Sequence, residues 1–171
     1  MKTIENLNDA ITILLRGLFD SEKVLQQAIK ECSTKATSTA LRDELQHYGE
    51  DAEDKVLKLE RIFNYLMAIP TGKRNYILRK MIEETREIMR VTKDDSIRDI
   101  LLVSCVQSIS NYKISGYQTA LAIALDLGLE KVPDLLQEIL EREIETEFTL
   151  NKLCKEILYQ KQQQEAHNLI D

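Results

Sequence analysis

Apolar residues recur along the chain at helical spacing in five segments, and polar or breaking residues separate them. In the first, Ile4, Leu7, Ile11, Leu14, Leu15, Leu18, Leu25 and Ile29 form one stripe, predicting a helix from Ile4 to about Cys32. At 100° per residue Glu22 falls about 40° from Leu18 and about 60° from Leu25, inside that stripe. A carboxylate there is costly unless it is paired, protonated or bound to a cation. Ser33 to Thr39 reads as a short connection, so the second helix runs antiparallel to the first. Its stripe is Leu41, Leu45, Tyr48, Ala52, Val56, Leu59, Phe63 and Leu66, with Asp51 at the edge. Glu44 and His47 make an ExxH pair, but His47 projects about 130° from the stripe, toward solvent. A solvated face is the better reading than a pair of metal ligands.

Pro70 and Gly72 break the chain, and a shorter helix is predicted from about Tyr76 to Met89. Leu78, Met81, Ile82, Thr85 and Ile88 face inward there, flanked by Glu83 and Glu84. Ile97 to Gly128 follows, with Lys113 as the one charged side chain between Asp99 and Asp126. Apolar and small residues fall on all its sides, which predicts a helix about 45 Å long at the centre of the others. Ser96 and Asp99 read as its capping box. The stretch from 67 to 95 is long enough to cross the bundle lengthwise, which would set this helix parallel to the second. Periodicity alone also allows a five-helix up-and-down bundle. Leu127-Gly128-Leu129 is a helix stop, and Pro133 suits the first turn of the last helix. Its inward set runs Leu135, Leu136, Ile139, Glu143, Thr146, Leu150, Leu153, Cys154 and Ile157. Glu143 lies inside that stripe and Glu147 at its border. The expectation is one all-α domain over residues 1–160, then a polar, disordered tail over 161–171 in which His167 is surface.

Only five Gly and two Pro in 171 residues agree with an all-helical domain. A net charge of −6 with no basic run gives no electrostatic reason to bind nucleic acid or anionic lipid. Neither a leader pattern nor a membrane-spanning run is present, and Cys32, Cys105 and Cys154 lack metal or redox spacing. They read as reduced thiols of a cytoplasmic protein. Four long helices with inward acids suggest a carboxylate di-metal bundle, yet the supply is short. Glu22 and Glu143 are well placed, whereas Asp51, Glu84 and Glu147 are marginal and no histidine faces inward.

Three sets of residues, taken in order, resemble the YciE/YciF-type ferritin-like proteins, small bacterial helical proteins associated with stress. They are MKTIEN with LLRGLFDSEKVL around Glu22; IRD at 97–99 with Gln107, Tyr112, Ile114, Tyr117 and Thr119; and LG at 127–128 with LLQEILERE at 135–143. The resemblance implies a four-helix bundle with a crossover helix, a homodimer and an iron or manganese di-metal site. This chain departs from that site. Tyr48 stands where the family has an inward His, and Asp51 where it has Glu. Ser110-Asn111-Tyr112-Lys113 replaces Glu-His-Tyr-Glu. Glu22 and Glu143 remain, and Glu147 stands where Asp is common.

The expectation is therefore a non-catalytic, metal-free structural or interaction module. In it, Glu22, Tyr48, Asp51, Ser110, Lys113, Glu143, Thr146 and Glu147 line a vestigial site. Lys113 would neutralise Glu22 or Glu143; the competing arrangement has Lys113 in solvent and Glu22 held by Tyr or Ser hydroxyls. The competing function is a di-iron or di-manganese oxidase or peroxide scavenger using Glu22, Asp51, Glu143 and Glu147. A storage cage is set aside because the resemblance implies dimers. Tyr48, Tyr112 and Tyr117 read as core packing rather than redox groups.

Overall fold

The computed structural model describes residues 3–168, which form five α-helices joined by short connections. These are α1 (Leu7–Ser33), α2 (Thr39–Tyr65), α3 (Tyr76–Val91), α4 (Asp95–Asp126) and α5 (Val132–Asn168). The first four start on a side-chain cap. Asn6, Ser38, Asn75 and Asp94 accept from the backbone N–H three residues on, satisfying a donor that the helix itself leaves open. α4 ends in a Schellman turn: Leu129 N–H donates to Ala124 O, Gly128 N–H donates to Leu125 O, and Gly128 sits at φ 65°.

The short connections make α1–α2 and α4–α5 antiparallel pairs, and α3 crosses over between them. Its start is fastened to the middle of α1: Asn75 N–H donates to Asp20 Oδ2 at 2.8 Å, and Arg79 reaches Asp20 Oδ1 at 2.8 Å. It then runs alongside α1 toward that helix's C-terminal end, where Arg86 pairs with Glu31. α4 consequently begins at the end of the bundle where α2 begins, and the two are parallel. This is a ferritin-like four-helix bundle with a crossover helix, not an up-and-down array.

Five expectations from the sequence are corrected. α1 begins at Leu7 rather than Ile4, because Asn6 takes the cap; Ile4 lies outside the helix and is exposed. The cap of α4 is Asp94, not a Ser96/Asp99 box. Asp99 instead accepts from Thr37 N–H, Thr37 Oγ1–H and Ser38 N–H across the bundle, at 3.0, 2.7 and 2.7 Å. α4 is not enclosed on all sides. It packs on α1, α3 and α5, while Leu101, Ser104, Ser108, Asn111, Ser115, Gln118 and Ala122 form an open face. That face was invisible to the sequence because its residues are uncharged. The segment from residue 161 is not irregular: α5 continues to Asn168, since KQQQEAH contains good helix formers and no Gly or Pro. Lys161 anchors that stretch to Asp94 at 3.2 Å. Residues 169–171, the rest of the expected tail, lie outside the described residues. Lastly, α2 carries Lys55 in its buried stripe, where the sequence reading placed no charge.

The apolar interior falls into two clusters. One gathers Leu25, Ile29, Leu41, Leu45, Val103, Val106 and Leu150 with their neighbours; the other gathers Leu15, Phe19, Leu59, Phe63, Ala120, Leu136 and Ile139. Phe19 and Phe63 meet edge to face in the second, with ring centroids 5.8 Å apart. Between the two clusters every long helix carries a fully buried charged residue: Glu22 on α1, Lys55 on α2, Lys113 on α4 and Glu143 on α5.

Candidate functional site

These four side chains meet in one layer, buried from solvent. The Lys113 ammonium lies between the two acids, 2.9 Å from Glu22 Oε2 and 2.8 Å from Glu143 Oε2. It also donates to Tyr48 Oη at 3.1 Å. Lys55 donates to the same Glu143 Oε2 at 2.7 Å. Two phenols complete the set: Tyr48 donates to Glu143 Oε1 at 2.5 Å and Tyr117 to Glu22 Oε1 at 2.6 Å. Both lysines also sit over the Tyr48 ring, 5.2 and 4.8 Å from its centre for Lys55 and Lys113. Two carboxylates face two ammonium groups, so the layer is neutral without any further ion. Glu143 is the better satisfied acid. Glu22 Oε2 has Lys113 close by but no donor aligned for a hydrogen bond.

Burial alone raises a carboxyl's pKa; around Glu143 the Lys113 and Lys55 charges outweigh it and bring the acid down to about 2. For Lys113 burial pulls the other way, toward the neutral amine, and Glu143 and Glu22 overcome it, so its pKa stands well above the usual lysine value. Burial, then the neighbouring carboxylates, push Tyr48 and Tyr117 well above the usual phenol range. Glu143 and Lys113 are thus an ion pair at neutral pH, and Tyr48 and Tyr117 are neutral phenols that donate.

Of the candidate metal ligands only Glu22 and Glu143 come together. Asp51 turns aside to Arg142, at 3.3 Å, and to His47, at 3.9 Å. Glu147 is half-buried and receives a long contact from Gln107 at 3.5 Å. Thr146 Oγ1 bonds back to Arg142 O in its own helix, while Ser110 Oγ reaches Glu143 O at 3.4 Å. Lys113 does not reach solvent. Lys55 is the functional residue the sequence reading missed, although Leu41, Leu45, Tyr48, Ala52, Lys55, Leu59 and Ile62 step by four and three residues along one face.

A di-metal centre needs about six donors, including carboxylates from each of the four helices and histidine nitrogens. Here α2 and α4 present ammonium groups instead, and an ammonium is a donor without a lone pair. Among the described residues no three His, Cys, Asp or Glu side chains converge on one point. The residues present do not fit a metal pair.

Connectivity and the single polar layer define a ferritin-like helical protein. The chain belongs to the family described as Domain of unknown function (DUF892), whose model matches residues 6–163. It is 26% identical over 155 residues to Protein YciF of Escherichia coli strain K12, covering 90% of this chain and 92% of that protein. The crystal structure of the E. coli stress protein YciF superposes with a TM-score of 0.88 at 22% identity, over 91% of this chain and 99% of the other. YcfI from Rhodopseudomonas palustris, described as a candidate structural protein, gives 0.85 at 24% identity, over 88% and 96%.

Proposed function

We propose that this protein is a non-catalytic, metal-free member of its family that works as a structural or interaction module in a stress response. The observation that carries the reading is the Lys113 ammonium seated between Glu22 and Glu143, with Lys55 beside it. A divalent ion entering that space would have to displace two cations that already neutralise both acids. Among the described residues no group of three or more His, Cys, Asp or Glu side chains offers another metal centre for oxygen or peroxide chemistry. The names of the relatives, a stress protein and a candidate structural protein, support the role.

The open, uncharged face of α4 is the surface we assign to a second copy of the chain. Ser104, Ser108, Ser115 and Ala122 on that face allow close helix approach without burying a charge. A reducing, cytoplasmic setting is supported by three free cysteines among the described residues. None of the described helices is long and apolar enough to cross a membrane. Elemental analysis of protein from cells supplied with iron and manganese tests the reading. Less than about a tenth of an ion per chain is expected, and about two per chain, the complement of a di-metal bundle, would overturn it.

A further inference from the structure

A second feature lies at the other end of the molecule from the α4–α5 turn, where the α1–α2 connection meets α3 and the start of α4. A cavity of about 710 Å³ opens there, lined by five cationic side chains, Lys35, Arg42, Arg86, Arg90 and Arg98, and by one carboxylate, Glu31. Against these five cations stand four carboxylates that line or border the cavity, Glu31, Glu87, Asp95 and Asp99, so a small positive excess sits here in a protein of net charge −6. Three of the arginines are held in place by the protein itself. Arg42 Nη2 donates to Ala36 O at 2.9 Å, Arg98 Nε to Lys35 O at 3.4 Å, and Arg86 Nε to Glu31 Oε2 at 2.9 Å. Arg86 spends Nε and Nη2 on Glu31, Arg90 spends both on Glu87, and Arg98 gives Nε to Lys35 O and Nη2 to Asp95, so the donors left to a ligand are their remaining N–H groups, the rest of Arg42 and the Lys35 ammonium. Glu87 pairs with Arg90 and Asp95 with Arg98, so a polyanion competes with these acids for the two guanidiniums, while Asp99 is taken up by the α1–α2 connection.

From this we infer that the cavity is a binding site for a compact polyanion carrying two or more phosphoryl groups. Guanidinium forks match phosphoryl oxygens in pairs, and several converging on one space favour clustered over single charges. Ala36 and Met89 are the only aliphatic side chains in the lining, and no aromatic ring is there. The recognised part is therefore the phosphate chain and not a stacked base. The same chemistry is offered by a free inorganic polyphosphate and by the tail of a nucleotide.

The test is calorimetric titration of the full chain with inorganic tripolyphosphate, orthophosphate and ATP at low and moderate salt. Tripolyphosphate is expected to bind saturably at one site per chain, at least about tenfold more tightly than orthophosphate, and to weaken as salt rises. Lys35→Glu, an exposed change remote from the core, and Arg42→Gln should each weaken it by about tenfold or more, whereas Lys152→Glu on distant α5 should not. Equal binding of ATP, lost in the same variants, assigns the site to a nucleotide's phosphate tail; weaker binding of ATP assigns it to the free polyanion. Absence of a saturable signal up to about 1 mM, or an equal loss in Lys152→Glu, would overturn the inference.

Discussion

Replacing Lys113 with methionine removes the charge at the centre of the layer while nearly keeping its volume. Lys113, Glu22 and Glu143 have side chains with no exposure, so solvent does not screen the change. Glu143 would keep Lys55 at 2.7 Å and Tyr48 at 2.5 Å. Glu22 would keep only the Tyr117 hydroxyl, at 2.6 Å. The variant thus strands one buried carboxylate, for which a loss of about 3–5 kcal/mol is expected. Against a total stability of roughly 5–15 kcal/mol that is a large fraction, though the fold should persist. Urea unfolding at neutral pH measures it. The control is Lys113→Met combined with Glu22→Gln, which removes the stranded charge along with its partner and should recover at least about 2 kcal/mol. A loss below about 0.5 kcal/mol in the single variant, or no recovery in the double one, would refute the reasoning.

Lys55→Met should cost less than Lys113→Met in the same urea assay, because Lys55 serves Glu143 alone and Lys113 still holds that acid. Glu143 is brought down from 4.5 to about 2 in the folded protein. Its contribution, about 3 kcal/mol, is therefore full above the unfolded value and lost as pH falls from about 4.5 toward 2. Urea midpoints across that window should drop more steeply in the parent than in Glu143→Gln. The Lys113 contribution carries the opposite sign, being full below the ordinary lysine pKa and lost as pH rises from there through its elevated folded value. Asp99→Ala removes the acceptor of three donors at the start of α2 and should cost about 2 kcal/mol by thermal or urea melts. Gly128→Ala meets no neighbouring atom but must hold φ at 65°, so a loss of about 1 kcal/mol is expected from backbone strain alone.

The helices were readable in the sequence because each long one except α4 carries a stripe with charged residues opposite it. Glu22 and Glu143 announced themselves by interrupting those stripes, and Lys113 by being the lone charge in a long neutral run. Lys55 was hidden by its neighbours: in GEDAEDKVLKLE it reads as one more solvated charge, and only its four-and-three register with Tyr48, Ala52 and Leu59 marks it as inward. The open side of α4 had no charge contrast to reveal it. Asp99 was assigned to its own helix because its partners, Thr37 and Ser38, are distant in sequence. The cationic cavity has the same origin: Lys35, Arg42, Arg86 and Arg98 belong to four separate segments, and folding alone brings them together.

The central claim is that buried ammonium groups occupy the middle of the bundle. Nitrogen-15 NMR of protein labelled at lysine side chains observes them directly. The account predicts two slowly exchanging ammonium resonances at neutral pH, assigned by their loss in Lys55→Met and Lys113→Met. Fast exchange at both positions, or signals of neutral amines, would contradict it.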